Sequence, residues 1–149
     1  MKTLTRKAAS AVLGALMAGG ALAQANAPLP PVRANGPVEY LSGGIGADES
    51  AAIRNASGQW PLTLEFAIKD RQRADFAADV KVRVLDARGN EVLQATSEGP
   101  FLLARLAPGS YAVEATLAGQ TQRRKVDVKA GKPSREVFLW GAGADKTGP

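Results

Sequence analysis

The sequence contains neither cysteine nor histidine, and each absence removes a class of chemistry. Without thiols there is no disulfide, no thiolate nucleophile and no cysteine to carry a lipid anchor. Without imidazole the usual nucleophile-base pairs and most zinc or copper sites are lost. Aromatic residues are also sparse, with two Trp, two Tyr and four Phe, so any core must rest mainly on aliphatic side chains. Clusters of one charge are short, the densest being Arg123-Arg124-Lys125. Long apolar runs are missing except at the start of the chain.

That run, Ala8 to Ala23, follows Lys2, Arg6 and Lys7 and has the three-part plan of a secretory signal. The expected leader is 1–23, with Ala21-Leu22-Ala23 as the peptidase site and cleavage after Ala25 or Ala27 as alternatives. Its Gly- and Ala-rich stretch is short for a hydrocarbon core of roughly 30 Å, so no membrane span is expected in the processed chain. Of the 19 basic residues three leave with the leader, while all 14 acidic residues stay, which reduces the net charge from +5 to +2. So mild a positive charge gives no support for nucleic-acid binding. The expected location is periplasmic or secreted, and the expected organisation is one domain.

Residues 24–38, QANAPLPPVRANGPV, hold four prolines and read as an extended linker. A lead-in over 39–61 follows, with a short helix expected from Ala47 to Ala56. Asp48 and Glu49 suit the helix N-terminus, and Gly58 and Pro61 end it. From Leu62 the apolar period changes to two. Leu62, Leu64, Phe66 and Ile68 alternate with polar or small residues, and Val80, Val82 and Val84 repeat the pattern. Ala87 to Asn90 supplies a tight hairpin, with Gly89 suited to a left-handed residue. EVLQAT, FLLARL, the run from Tyr111 to Leu117, TQRRKVDVK and REVFLW complete seven expected strands. Periodicity does not assign an inward face to FLLARL. Residues 141–149 read as an unpacked tail.

Pro108 and Gly109 carry the sharpest local expectation. Proline pre-sets the first central torsion of a turn over Ala107 to Ser110, and Gly109 would supply the positive φ of a type II turn. Tyr111, Val113, Ala115 and Leu117 then share one face, and Tyr111 is expected to bury its ring and bond its hydroxyl near the loop. Short turns and the lack of crossover helices give the fold class: all-β, a seven-stranded antiparallel Ig-like or prealbumin-like sandwich over 62–140, with a short N-terminal helix.

These residues also carry a family likeness. Val80 to Val84 with Asp86 and Gly89, the L-x-P-G-x-Y-x-V stretch from Leu106 to Val113, Gly119, and VDVKAG at Val126 to Gly131 resemble the carboxypeptidase regulatory-like domain. The resemblance covers Leu62 to Trp140 and implies a transthyretin-like (prealbumin-like) β-sandwich. The same core motif occurs in starch-binding-like and adhesin-repeat relatives, so it marks architecture more than activity. GGIGADESAAIR together with the terminal F-L-W is similar to short exported bacterial proteins that carry this domain alone. The zinc carboxypeptidase module and the transthyretin-like hydroxyisourate hydrolases both need histidines, so neither activity is implied here.

Candidate sites are few. Asp70, Asp75 and Asp79 offer carboxylates for a hydrolase or for calcium, but they lack the dense D-x-D-x-[DN]-G spacing, and solvated loop charge is the preferred reading. Gly43-Gly44-Ile45-Gly46 before a helix invites an anion-binding reading, but no lysine follows it as in a phosphate loop. Arg123, Arg124 and Lys125, joined by Arg135, suggest an acidic partner or the protection of an exposed edge. Trp60, Trp140 and Tyr40 suggest a sugar-stacking platform or caps on the ends of a sandwich. The sequence thus points to a non-catalytic exported binding or structural module needing no cofactor. Its partner is an unknown protein or, in the alternative, a cell-envelope saccharide or peptidoglycan bound through exposed aromatics. A carboxylate-dependent hydrolase is the third reading.

Overall fold

The computed structural model describes residues 27–70 and 73–146; the expected leader at 1–23 lies outside them. Among these residues ten strands form two sheets: β1 Arg33–Asn35, β2 Val38–Gly43, β3 Leu62–Asp70, β4 Arg73–Phe76, β5 Val80–Leu85, β6 Glu91–Ser97, β7 Phe101–Ala104, β8 Gly109–Leu117, β9 Gln120–Val128 and β10 Ser134–Trp140. One helix, α1 Ala47–Ser57, lies between β2 and β3, and a short 3-10 turn, Ala144–Lys146, follows β10. The larger sheet runs β1-β2-β7-β3-β10, with β4 also paired to β3, and the smaller runs β6-β5-β8-β9.

Strand alternation builds the core between the sheets. Leu62, Leu64, Phe66 and Ile68 of β3 meet Val80, Val82 and Val84 of β5, and Val113, Ala115 and Leu117 of β8. Phe138 and Trp140 close the β10 side, with ring centroids 6.2 Å apart, and Phe66 lies 5.8 Å from Phe138. Each such buried side chain contributes about 2 kcal/mol of transfer free energy. No buried side-chain polar atom among the described residues lacks a hydrogen-bond partner.

The expected all-β class holds, but three details need correction. The strand count is ten rather than seven, because β1, β2 and β4 join the larger sheet. Within the expected linker, Asn35 pairs with Val38 across Gly36-Pro37, where Gly36 takes a φ of 60°. An edge position tolerates the prolines there. The helix is not an N-terminal prelude to the sandwich, because β2 enters the larger sheet before it. The third correction is orientation: β10 runs parallel to β3, with Ser134 opposite Leu62 and Trp140 opposite Ile68. Alternation has the same period in either direction, and strands so distant in sequence are not constrained by a hairpin to run antiparallel. The chain after Trp140 also departs from an unpacked tail as far as Ala144, which is buried in the core.

Burial on both faces explains the continuous apolar run of β7. Leu102 and Ala104 point into the main core, whereas Phe101 and Leu103 join Leu41, Ile53 and Trp60 in a second cluster beneath α1. The approach to α1 is held by Glu49, whose carboxylate accepts the Gly44 N–H at 2.7 Å, and by Ser50, whose hydroxyl donates to the Gly44 carbonyl. A side chain on Gly99 would land on the Gly43 carbonyl group, so this crossing requires glycine.

Two glycines should therefore respond oppositely to alanine. Gly99→Ala is expected to cost about 1–3 kcal/mol, because main chain must move to admit the methyl. Gly109 is absent from the positive-φ residues, and an added Cβ would meet the Tyr111 ring at 3.6 Å, an ordinary contact. Gly109→Ala should change stability by no more than about 0.5 kcal/mol. Urea unfolding of both variants checks the pair.

Candidate functional site

One end of the sandwich gathers the segment Gly58 to Pro61, the β7–β8 loop and the β9–β10 turn. The β7–β8 loop is fixed by Tyr111, whose hydroxyl donates to the Ala107 carbonyl at 2.6 Å. The type II turn with a left-handed Gly109 is corrected here: Gly109 already belongs to β8, paired with Val128, and the hydroxyl bond closes the loop instead. Ser110 donates to Asp127 at 2.7 Å, Ser134 donates to the Asp127 carbonyl at 2.9 Å, and the Ser134 N–H reaches the Pro61 carbonyl at 2.9 Å. These bonds tie three loops together around a cleft of about 300 Å³.

Apolar surface forms much of the cleft: Trp60, Pro61, Leu106, Pro108, Val128 and Pro133. Lys129 and Lys132 also line it. They face each other across the Ala130-Gly131 turn, where the Lys132 N–H donates to the Lys129 carbonyl at 3.2 Å and Gly131 takes a φ of 70°. Among the described residues neither lysine side chain has an ion pair or hydrogen bond. The sequence reading named Trp60 and Pro108 but missed the lysines. Their signal was K-A-G-K, because a two-residue turn places its flanking residues opposite one another on one face.

The other aromatic candidates do not form a stacking platform. Trp60 is 5% exposed in the cluster under α1, with the Arg105 guanidinium 4.1 Å above its ring. Trp140 is 2% exposed in the main core, and its indole N–H donates to the Gln120 carbonyl at 3.1 Å. Tyr40 is half-buried against that same core. The two indoles belong to different clusters, so they offer no shared ring surface to a sugar.

The basic residues of β9 also separate. Arg123 pairs with Glu114 at 3.0 Å on the outer face of the smaller sheet. Arg124 points the other way and lies 5.5 Å from the Phe138 ring, while Lys125 is exposed. Arg135 is on the larger sheet, paired with Glu65, and does not join the triplet. Both β9 and β10 are sheet edges, and the Gln122 amide donates to the Leu139 carbonyl at 2.8 Å across their seam. Charged side chains and such cross-links occupy edges that would otherwise pair with other chains.

Asp70, Asp75 and Asp79 are all exposed, and no three of His, Cys, Asp and Glu among the described residues are placed to hold a metal ion. The amide of Gly44 is already occupied by Glu49, which leaves its glycine loop a packing role. Asp86 acts in the β5–β6 hairpin: its carboxylate accepts the main-chain N–H groups of Arg88 and Asn90, each at 2.9 Å. The Asn90 contact leads in holding this carboxyl below its ordinary range, and Gly89 takes the left-handed position with a φ of 84°.

The fold defines a mostly-β protein of two packed sheets. No protein-family model matches the chain, and no curated protein matches it.

The loop clamp gives a test in alkali. Burial, and then the Asp86 charge, raise the Tyr111 phenol above its ordinary pKa of 10.0. The unfolded chain therefore ionises first, so this contribution is complete below about pH 10 and disappears as pH rises through the folded value. Tyr111→Phe should lose about 1 kcal/mol at neutral pH by removing the hydrogen bond. It should also fall less steeply than the parent between pH 9 and 11, measured by urea unfolding.

Proposed function

We infer that this chain is a non-catalytic exported binding module of the carboxypeptidase regulatory-like type, acting in the periplasm or outside the cell. The observation that carries the reading is the cleft at the loop end. Its lining combines rigid apolar surface with two cations and contains no hydroxyl, thiol or carboxylate side chain. Such a surface can hold a ligand and fix its orientation, and its two lysines, exposed and cationic, stand beside no hydroxyl, thiol or carboxylate of the lining with which they could form a nucleophile-base pair. The absence of histidine and cysteine removes imidazole and thiolate chemistry from the whole sequence. The regulatory-like assignment rests on the Leu106 to Val113 motif and on the two-sheet architecture around it. No helix among the described residues is long and apolar enough to cross a membrane.

A carboxylate-dependent hydrolase and a saccharide-stacking module are the competing readings. The processed chain should give no turnover of chromogenic esters, glycosides or phosphate esters. A turnover that disappears in Asp75→Asn would overturn the non-catalytic reading. Because the two indoles lie in separate clusters and offer no shared ring surface to a sugar, tryptophan fluorescence should not change on titration with peptidoglycan fragments. A saturable change would favour the saccharide reading.

A further inference from the structure

We propose that the cleft between Pro61, Pro108 and the β9–β10 turn docks an acidic peptide segment of a partner protein. One apolar side chain of the segment lies against Trp60, Leu106 and Val128, and its neighbouring carboxylates meet Lys129 and Lys132. The proposal rests on the binding-module reading and names the chemistry of the partner.

Charge complementarity carries the first part. Lys129 and Lys132 form a cross-strand pair, and like charges directly opposite one another on a hairpin repel. Several arginines are paired within the fold: Arg83 with Glu91 and Glu114, Arg123 with Glu114, and Arg135 with Glu65. The lysine pair has no such counter-ion among the described residues, and no carboxylate lines the cleft around it. A ligand bearing negative charge therefore gains attraction at a site where the fold retains repulsion.

Size and wall chemistry carry the second part. A cleft of about 300 Å³ is at the lower limit for enclosing a small-molecule ligand, but it admits one large apolar side chain whose main chain stays outside. Pro61, Pro108 and Pro133 make its walls stiff and remove main-chain donors from them. Recognition then falls to the inserted side chain and its flanking charges, rather than to strand addition. The hydrogen bonds of Tyr111 and Ser134 hold the loops in place before the ligand arrives, which limits the ordering cost of binding.

The test uses acetyl-Asp-Leu-Asp-amide as probe, titrated into the isotopically labelled processed chain and followed by amide and indole NMR shifts. Saturable shifts are expected at the Trp60 indole, Val128 and the turn from Lys129 to Pro133. Acetyl-Asn-Leu-Asn-amide and acetyl-Asp-Ala-Asp-amide should each bind more weakly. The double variant K129Q/K132Q, altered only at exposed positions, should keep the parent spectrum and lose affinity about tenfold. Raised salt should weaken the parent and leave the double variant almost unaffected. Equal binding of the Asp and Asn peptides, or binding unchanged in K129Q/K132Q, would overturn the proposal. Peptide shifts confined to another surface would overturn the cleft while leaving the binding-module reading intact. Shifts at the cleft with N-acetylglucosamine oligomers and none with the acidic peptide would replace the partner by a saccharide.

Discussion

Everything in this fold depends on the register of β3. It lies between β10 on one side and β7 and β4 on the other, and its inward residues Leu62, Leu64, Phe66 and Ile68 contact both halves of the core. A slip of one residue would turn these four toward the outer face and bring Thr63, Glu65 and Lys69 inward. The same strand fixes what lies outside the sandwich. Opposite Leu103, Thr63 belongs to the outer face that α1 covers through Ile53, so the helix and the second sheet test one register from two sides.

An open sandwich must also protect its edges, and here the solution is a seam. Strands β9 and β10 end their respective sheets next to one another. Gln122 donates to the Leu139 carbonyl, the Trp140 indole donates to the Gln120 carbonyl, and Ser134 donates to the Asp127 carbonyl. Arg124 covers Phe138 between them. Side-chain bonds to main chain thus replace part of the ladder that neither edge strand possesses. This seam also explains why a chain without disulfides keeps its final strand in place: β10 is paired along its whole length to β3 and bonded at three points to β9.

Much of the architecture was legible because period-two alternation is a direct image of a half-buried strand. Leu62 to Ile68, Val80 to Val84 and Tyr111 to Leu117 each expose the pattern that the core uses. The signal failed where burial is not one-sided. In β7 the helix covers the outer face, so Phe101 to Ala104 lost its alternation. In β1 all three residues are exposed, and the neighbouring prolines suggested a tether. Strand direction is invisible to periodicity, which is why the parallel pairing of β3 and β10 was not read. The candidate site was less legible still. Trp60 and Pro108 were marked by type, but Lys129 and Lys132 matter through their opposition across a turn, a pairing that composition does not display. The L-x-P-G-x-Y stretch was visible as a motif, yet its working part is the Tyr111 hydroxyl bond and not a left-handed glycine.

Surface ion pairs of the kind found here contribute little to stability, with a median near zero to about 1 kcal/mol. Their arrangement still has a consequence for recognition. Arg33 with Glu98, Arg105 with Glu39, and the Arg83, Glu91 and Glu114 group place opposite charges side by side, which weakens the field around those pairs. At the loop end Asp127 accepts a hydrogen bond from Ser110, and the two lysines beyond it form no ion pair among the described residues. What distinguishes this pair is its place, since unpaired positive charge beside apolar surface is the feature on which the docking proposal rests. The hydrogen bonds that close this end of the sandwich also hold the turn that carries the lysine pair, so in the proposed docking mode folding and recognition share one set of loop contacts.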